Sequence, residues 1–216
     1  MDITCGLVTR LLVLLKGEIC MFKKAIKNPL FLGNSITSVV SCATNTLIIN
    51  FILSKGMNVY QIQVFAVMVL SMIMSIVISK HMHLTKVAYN NYKTFMLVEG
   101  VAQLLVGFAS LITGSSIIYI IVSILMVPFN KIEDFGNIEI MNNIPAPERK
   151  EFDQISALYS AYISVAGYAM GFVLNLFMTG ASAFCLYCIA GALNNVFYWK
   201  AYKMYPATDT TDSKAA

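Results

Sequence analysis

The sequence predicts an all-α membrane protein with six transmembrane helices and both termini in the cytoplasm. Six long apolar runs divide the chain, and hydrophobic residues make up 58% of its 216 residues. Charged residues make up only 12%, against roughly 25% in soluble domains, because hydrocarbon excludes charge. When the N-terminus is placed in the cytoplasm, every Lys and Arg except Lys55 falls on the cytoplasmic side. Cytoplasmic loops carry such an excess of positive charge, so this distribution sets the predicted topology.

Each apolar run is matched to one span, because a helix needs about 20 mainly apolar residues to cross a bilayer. The runs cover residues 31–53, 62–79, 95–112, 115–129, 155–178 and 181–198. Residues 1–28 are predicted to form a cytoplasmic amphipathic lead-in, and residues 29–204 the membrane domain. The polar tail, residues 205–216, is predicted to be disordered. The expected localisation is a cell membrane that the chain crosses several times.

The fourth run is too short to cross the membrane as an apolar helix. It holds about 13 apolar residues before Pro128 interrupts it, and charged residues follow closely. Apolar residues nevertheless recur at near-helical spacing beyond the proline. We therefore predict one long helix over residues 115–142, roughly 40 Å in length at 1.5 Å per residue. Its second half carries Lys131, Glu133 and Asp134 at membrane depth or just beneath the surface.

A polar stripe runs along the first span. Asn34, Ser38, Ser41 and Asn45 are spaced i, i+4, i+7 and i+11, which places them on one helix face. Polar groups in a span turn away from lipid, toward other helices or a watery cavity. The stripe is therefore either a wall of a substrate cavity or a set of hydrogen bonds between helices.

The third span carries a carboxyl group, Glu99, with Gln103 one turn further on. A carboxyl group in a span is costly and marks a candidate functional site. We predict that Glu99 takes part in ion coupling and that Gln103 lines the cavity. The alternative is that Glu99 reaches the cytoplasmic interface, since Lys93 lies only about six residues before it.

The fifth span contains Gly167 and Gly171 in a GxxxG arrangement. Small residues at this spacing let two helix backbones approach closely. We predict a helix-packing role for this pair, with a flexing face of a transporter as the alternative.

Several function classes have no support in the sequence. The net charge of +4 is spread over cytoplasmic loops, which suits anionic lipid headgroups and predicts no nucleic-acid partner. His81 and His83 are two ligands, whereas a structural zinc site normally has four, so no metal site is predicted. There is no phosphate-binding loop, nucleophile elbow or zinc-protease motif. We expect no enzyme activity and no cofactor other than a coupling ion.

One segment resembles a transporter family. It is similar to the P-F-x-x-[IL]-x-D pattern in the tenth span of glycoside–pentoside–hexuronide cation symporters, the melibiose permease family. In this chain it reads Pro128-Phe129-Asn130-Lys131-Ile132-Glu133-Asp134. The lead-in Lys27-Asn28-Pro29-Leu30 is similar to the segment before the seventh span of that family. The resemblance implies the C-terminal half of a major facilitator superfamily transporter, folded as one six-helix bundle.

The chain departs from that family in two ways. The family continues with D-x-x-[DE]-Y and T-G-x-R, whereas this chain has Asp134-x-x-Asn137-Ile138 and no T-G-x-R. The resemblance also implies a further N-terminal half, which carries the coupling-cation carboxylates of those symporters.

The resemblance implies secondary active transport of a sugar-like or other small solute with Na⁺ or H⁺. Glu99, Lys131, Glu133 and Asp134 are the candidate coupling or gating groups. Such transporters bind their substrate between two halves, so we expect a homo-oligomer or a partner half. Two alternatives stay open: a non-transporting scaffold or accessory subunit, and a fragment of a longer symporter.

Overall fold

The computed structural model describes residues 22–23, 25–81 and 91–206, without the side chains of residues 92 and 93. Most of the predicted lead-in and tail lies outside these residues. The described part is helical and contains no strand. Its helices are α1 Pro29–Leu53, α2 Met57–Lys80, α3 Tyr92–Thr113, α4 Ser116–Leu125, α5 Val127–Asn143, α6 Ala146–Leu174 and α7 Gly180–Met204.

The helix ends follow from local sequence. The Asn28 side chain accepts a hydrogen bond from the backbone N–H of Leu30 at 2.9 Å and caps α1, with Pro29 in the first turn. At the end of α3, Gly114 adopts φ +61°, the left-handed conformation that glycine provides at a helix C-terminus. Thr179 caps α7 by accepting from the backbone N–H of Ser182 at 3.2 Å. Gly114 and Thr179 lie in two very short connections on the side of the bundle opposite to Asn28.

Among the described residues, five helices are long and apolar enough to cross a membrane: α1, α2, α6, α7 and the part of α3 from Thr94 to Thr113. The pair α4 and α5 meets the same test only when taken together, as a broken span or a re-entrant loop bent by 51°. The prediction of an all-helical membrane protein is thus confirmed, with five or six candidate spans. The major-facilitator arrangement and the cytoplasmic position of the termini stay predictions.

The prediction of one continuous helix over residues 115–142 was wrong. The chain breaks at Met126, between α4 and α5. Pro128 causes the break because it has no backbone N–H to donate to the carbonyl of Ile124, one turn earlier, and its ring displaces that carbonyl. The charged residues beyond the proline therefore belong to a separate helix with its own direction.

Helix α7 lies at the centre of the bundle, packed against α1 on one side and α3 on the other. Small side chains on α7, including Ala183, Ala190 and Ala201, are buried in these contacts. Helix α6 packs against the opposite side of α1. Gly167 and Gly171 lie where α6 and α1 come closest, because a Cβ atom at either position would lie within 3 Å of an α1 backbone oxygen.

Two apolar clusters occupy opposite ends of the bundle, since they combine opposite ends of the same helices. One cluster, here the Tyr198 cluster, consists of Leu30, Met96, Ile140, Ile144, Tyr198 and Ala201. The other, the Phe184 cluster, consists of Ile48, Ile52, Ala183, Phe184 and Cys188. The helix ends next to the Tyr198 cluster carry basic residues such as Lys27, Arg149 and Lys200, whereas Lys55 lies in the turn at the other end.

Candidate functional site

A cavity of about 530 Å³ lies beside the broken helix, enclosed by α2, α3, α4, α5 and α7. Its volume falls within the roughly 300–1,000 Å³ that is usual for small-molecule sites. Most of the side chains that line it away from the Phe184 cluster are polar. They include Gln63, Glu99, Gln103, Tyr119, Ser123, Asn130, Glu133, Asp134, Asn137, Tyr187, Asn194 and Tyr198.

Glu99 is the most deeply buried acid of the site, at 2% exposure. It lies on the face of α3 that also carries Met96 and Gln103, because residues three and four apart share a helix face. The Gln103 side-chain amide donates to Glu99 Oε1 at 3.1 Å. Glu99 Oε2 is buried and has no hydrogen-bond donor among the described residues. Glu99 Oε1 is therefore held by Gln103 of the same helix, whereas Glu99 Oε2 lacks a partner on α3.

Glu133 on α5 lines the same cavity, and its carboxyl lies within hydrogen-bonding reach of the Glu99 carboxyl. The side chain of Asn137, one turn further along α5, hydrogen-bonds Glu133. Two acids from different helices thus meet inside the cavity, each held by an amide side chain of its own helix.

The two remaining charges of the predicted group form an ion pair. Lys131 Nζ lies 3.2 Å from Asp134 Oδ2. Asp134 lines the cavity, whereas Lys131 does not. Both side chains keep contact with the outside, with 29% exposure for Lys131 and 59% for Asp134. The pair therefore lies at the rim of the site, and the positive charge of Lys131 is balanced by Asp134.

Several polar atoms of the cavity accept no hydrogen bond within the described part of the chain. They are Oε1 of Gln63, Oε1 of Gln103 and Oδ1 of Asn194. The Gln63 amide nitrogen, by contrast, donates to Ser123 Oγ at 2.8 Å and ties α2 to α4. Gln103 Oε1 and Asn194 Oδ1 lie against the helix backbone at Gly191 and Gly33. Because a buried acceptor without a donor is costly, Gln63 Oε1 calls for water or for a ligand that carries hydroxyl or amine groups.

The polar stripe of α1 has a different position from the one predicted. Its four residues share a face, but Asn34, Ser38 and Asn45 are exposed and Ser41 is only partly buried. None of the four lines the cavity, to which α1 contributes only Thr37. The reason is that the opposite face of α1, with its smaller and apolar residues, packs against α6 and α7. Asn34 does make one contact between helices, since its Oδ1 accepts from the Tyr198 hydroxyl at 2.8 Å.

Of the predicted site residues, the structure brings Glu99, Gln103, Glu133 and Asp134 together in one cavity. Sequence reasoning missed Gln63, Ser123 and the tyrosines. Gln63 was detectable as a polar residue at the start of an otherwise apolar span, which is the signal that drew attention to Glu99. Within the part of the chain that the structure describes, no three His, Cys, Asp or Glu residues are placed to hold a metal ion together.

The fold and the site define a class: the apolar helices are those of a multi-pass membrane protein, here with a polar cavity between them. No protein-family model matches the chain, and comparison with curated proteins and with solved structures finds no match. The transporter family that the sequence resembles is therefore an expectation, to be tested through the cavity itself.

Proposed function

We propose that this chain is one half of a secondary transporter, which moves a small polar solute across the membrane together with Na⁺ or H⁺. The observation that carries the proposal is the cavity of about 530 Å³ between apolar helices, lined by carboxyl, amide and phenol groups. Hydrocarbon cannot hydrogen-bond such groups, so they require water or a polar solute. An apolar helix bundle with only a structural role has no need of this cavity.

The chemistry of the lining favours a polyhydroxylated solute such as a sugar. Gln63 Oε1, which has no donor among the described residues, can accept a hydrogen bond from a hydroxyl group. Asn130, at the edge of the cavity, has an amide group that can both donate and accept. A lining that contains donors, acceptors and carboxyl groups suits a ring of hydroxyls better than it suits an apolar or a purely anionic ligand.

The segment that resembles the symporters supports the same function. Three of its residues, Asn130, Glu133 and Asp134, line the cavity. Its proline, Pro128, stands at the break between α4 and α5. Two residues that the pattern specifies therefore bear on the cavity: Pro128 stands at the break beside it, and Asp134 lines it.

The second half of the transporter is proposed to be another copy of this chain, docked over the exposed face of α1. Asn34, Ser38 and Asn45 are exposed along a helix that is long and apolar enough to span the membrane. Lipid would offer no hydrogen-bond partner to Ser38, to Asn45 or to the side-chain NH₂ group of Asn34. A second six-helix unit, placed against this face, would satisfy them and would help to form the two-sided enclosure that alternating access needs.

Transport is tested with purified protein in vesicles, by uptake of a panel of labelled sugars under an inward Na⁺ or H⁺ gradient. We expect accumulation that Glu99→Gln or Asp134→Asn abolishes without loss of expression. The matched control is Glu139→Gln, which removes an exposed acid of α5 that does not line the cavity. The mass of the protein in detergent gives its oligomeric state in the same preparation.

Two results would contradict the proposal. A strict monomer that takes up none of the sugars under either gradient would reject a half-transporter that works as a dimer. Accumulation that persists unchanged in both acid variants would reject the coupling role of Glu99 and Asp134.

A further inference from the structure

We propose that Glu99 and Glu133 hold one proton between their carboxyl groups, and that this shared proton links α3 to α5 across the cavity. The site is defined by the geometry of the two side chains. Only its use as a source of driving force rests on the transport function proposed above.

The first argument is the hydrogen-bonding state of Glu99. Its Oε1 is occupied by the Gln103 amide at 3.1 Å, while its Oε2 is buried without a donor. The Glu133 carboxyl lies within hydrogen-bonding reach of the Glu99 carboxyl. A carboxylate can only accept, whereas a protonated carboxyl can also donate. One proton on either acid therefore gives Glu99 Oε2 the partner that it lacks.

The second argument is charge. Two carboxylates in contact repel each other, and burial in a membrane protein strengthens the repulsion because the surroundings polarise less than water. A positive charge must therefore be supplied. The nearest positive residue on α5, Lys131, is already paired with Asp134 at 3.2 Å.

The other helices around the pair offer no replacement among their described residues. Helix α7 presents Tyr187, Tyr198 and Cys188 to the cavity, and α4 presents Tyr119. These groups are neutral when protonated, and the Tyr198 hydroxyl donates to Asn34 instead. Helix α2 presents Gln63, which does not ionise, and α1 presents Thr37.

A proton suits the site better than a metal ion. The two carboxyls are already close enough to share a hydrogen bond, and a proton needs no further space or ligands. Na⁺ and larger cations require several oxygen ligands around them, whereas Gln103 Oε1 faces Gly191, where a Cβ atom would lie 2.7 Å away. That oxygen is therefore directed at the backbone of α7 and not at the space between the two acids.

The shared proton has a mechanical consequence. With the proton in place, α3 and α5 are joined by a hydrogen bond across the cavity. Without it, two negative charges face each other and push the two helices apart. The protonation state of one pair of side chains would thus set the width of the cavity.

The site is tested by infrared difference spectroscopy on the full chain in lipid vesicles. We expect a protonated carboxyl C=O band at neutral pH that shifts in D₂O and disappears when the pH is raised. Both Glu99→Gln and Glu133→Gln should remove it, because each leaves one carboxyl with no acid to share a proton. Asp134→Asn and Glu139→Gln should retain it, since neither changes the pair. Circular dichroism verifies that every variant keeps its helical content.

Three results would overturn the proposal. The unchanged protein could show no such band at neutral pH, or the band could remain in Glu99→Gln. The third is a band that is present in a buffer with choline and lost when choline is replaced by Na⁺. The last result would assign the site to Na⁺. The measurement needs no solute, so its outcome is separate from the uptake assay. A band without uptake would support the shared proton and contradict the transport function. Uptake without a band would support the transport function and contradict the shared proton.

Discussion

The helices of this protein meet in two different ways. Where α6 and α7 pack against α1, here called the packed side, backbones touch through small residues such as Gly171 and Ala43. Around the broken helix, here called the cavity side, α2 and α5 contact each other, but the cavity lies between them and α3 and is lined by long polar side chains such as Gln63 and Glu99. The spans of the cavity side, α2 and α3, are even more apolar overall than α1, α6 and α7. The difference shows that the size and polarity of a few inward residues decide whether two spans close up or enclose a cavity.

The two sides should respond differently to substitution. On the packed side there is no room for an added atom, and the neighbour is a backbone that cannot turn away. On the cavity side an altered side chain meets open space, so function should be lost before stability.

The largest effect is expected for Gly171→Ala on the packed side. The added Cβ would lie 2.7 Å from the backbone oxygen of Ala43 and 3.0 Å from its Cα. The two helices must separate to admit it, at a cost of about 1–3 kcal/mol in the free energy of unfolding. Thermal unfolding in detergent would measure the loss.

Gly100→Ala is the matched control for that substitution. It adds the same methyl group inside α3, where the nearest atoms lie at an ordinary 3.7 Å. Alanine is favoured over glycine within a helix, so this variant should be as stable as the original or slightly more stable. Equal losses of stability in Gly171→Ala and Gly100→Ala would show that α6 and α1 are no more tightly packed at Gly171 than α3 is at Gly100.

A smaller effect is expected for Ser123→Ala on the cavity side. Ser123 Oγ accepts the hydrogen bond from the Gln63 amide, which is only 6% exposed. Loss of this hydrogen bond should lower the free energy of unfolding by about 1 kcal/mol. Solute uptake should fall more strongly than this small loss of stability accounts for, because Gln63 would no longer be held in place. Ser160→Ala is the comparison, since Ser160 bonds only to its own helix, at Ala157. Unfolding and uptake would be measured together, and equal uptake in both variants would contradict the positioning role.

The smallest effect is expected at the surface of the packed side, just beyond the end of α7. The Tyr205 hydroxyl donates to Glu148 Oε2 at 3.3 Å on the surface. Partial burial, followed by the nearby Glu148 charge, raises the pKa of Tyr205, so the hydroxyl keeps its proton at neutral and mildly alkaline pH. Tyr205→Phe should therefore change the free energy of unfolding by less than about 0.5 kcal/mol, with no dependence on pH over that range. A larger or pH-dependent change would show that this contact joins α6 to α7 more firmly than its exposure indicates.

The sequence was sufficient for the helices because hydrocarbon imposes one requirement on every residue of a span. Apolar runs of adequate length predicted α1, α2, α3 and α7 closely. Helix α6 begins at Ala146, before its apolar run at residue 155, because charged residues extend a helix beyond the membrane without breaking it. The break at Met126 was missed because near-helical spacing continued past Pro128, and periodicity does not report a change of direction.

The site was predictable in part for a related reason. Costly residues such as Glu99 and Asp134 stand out in an apolar chain, so sequence identified most of the acids. It could not show that Glu99 and Glu133 face each other, because that contact depends on the bend between α4 and α5. Nor could it show that the Asn34 stripe faces outward, because periodicity defines a face but not its direction.

The bend at Met126 also acts as a lever. The backbone N–H groups of Met126 and Asn130 keep their hydrogen bonds to Val122 and Met126, at 2.8 and 2.9 Å, so the chain stays helical on both sides of the proline. Glu133 lies about 10 Å beyond this pivot, at 1.5 Å per residue. A change of about 10° in the bend would displace its backbone by roughly 2 Å, enough to make or break a hydrogen bond to α3. A small rotation at one proline would thereby be converted into a change of contact across the cavity.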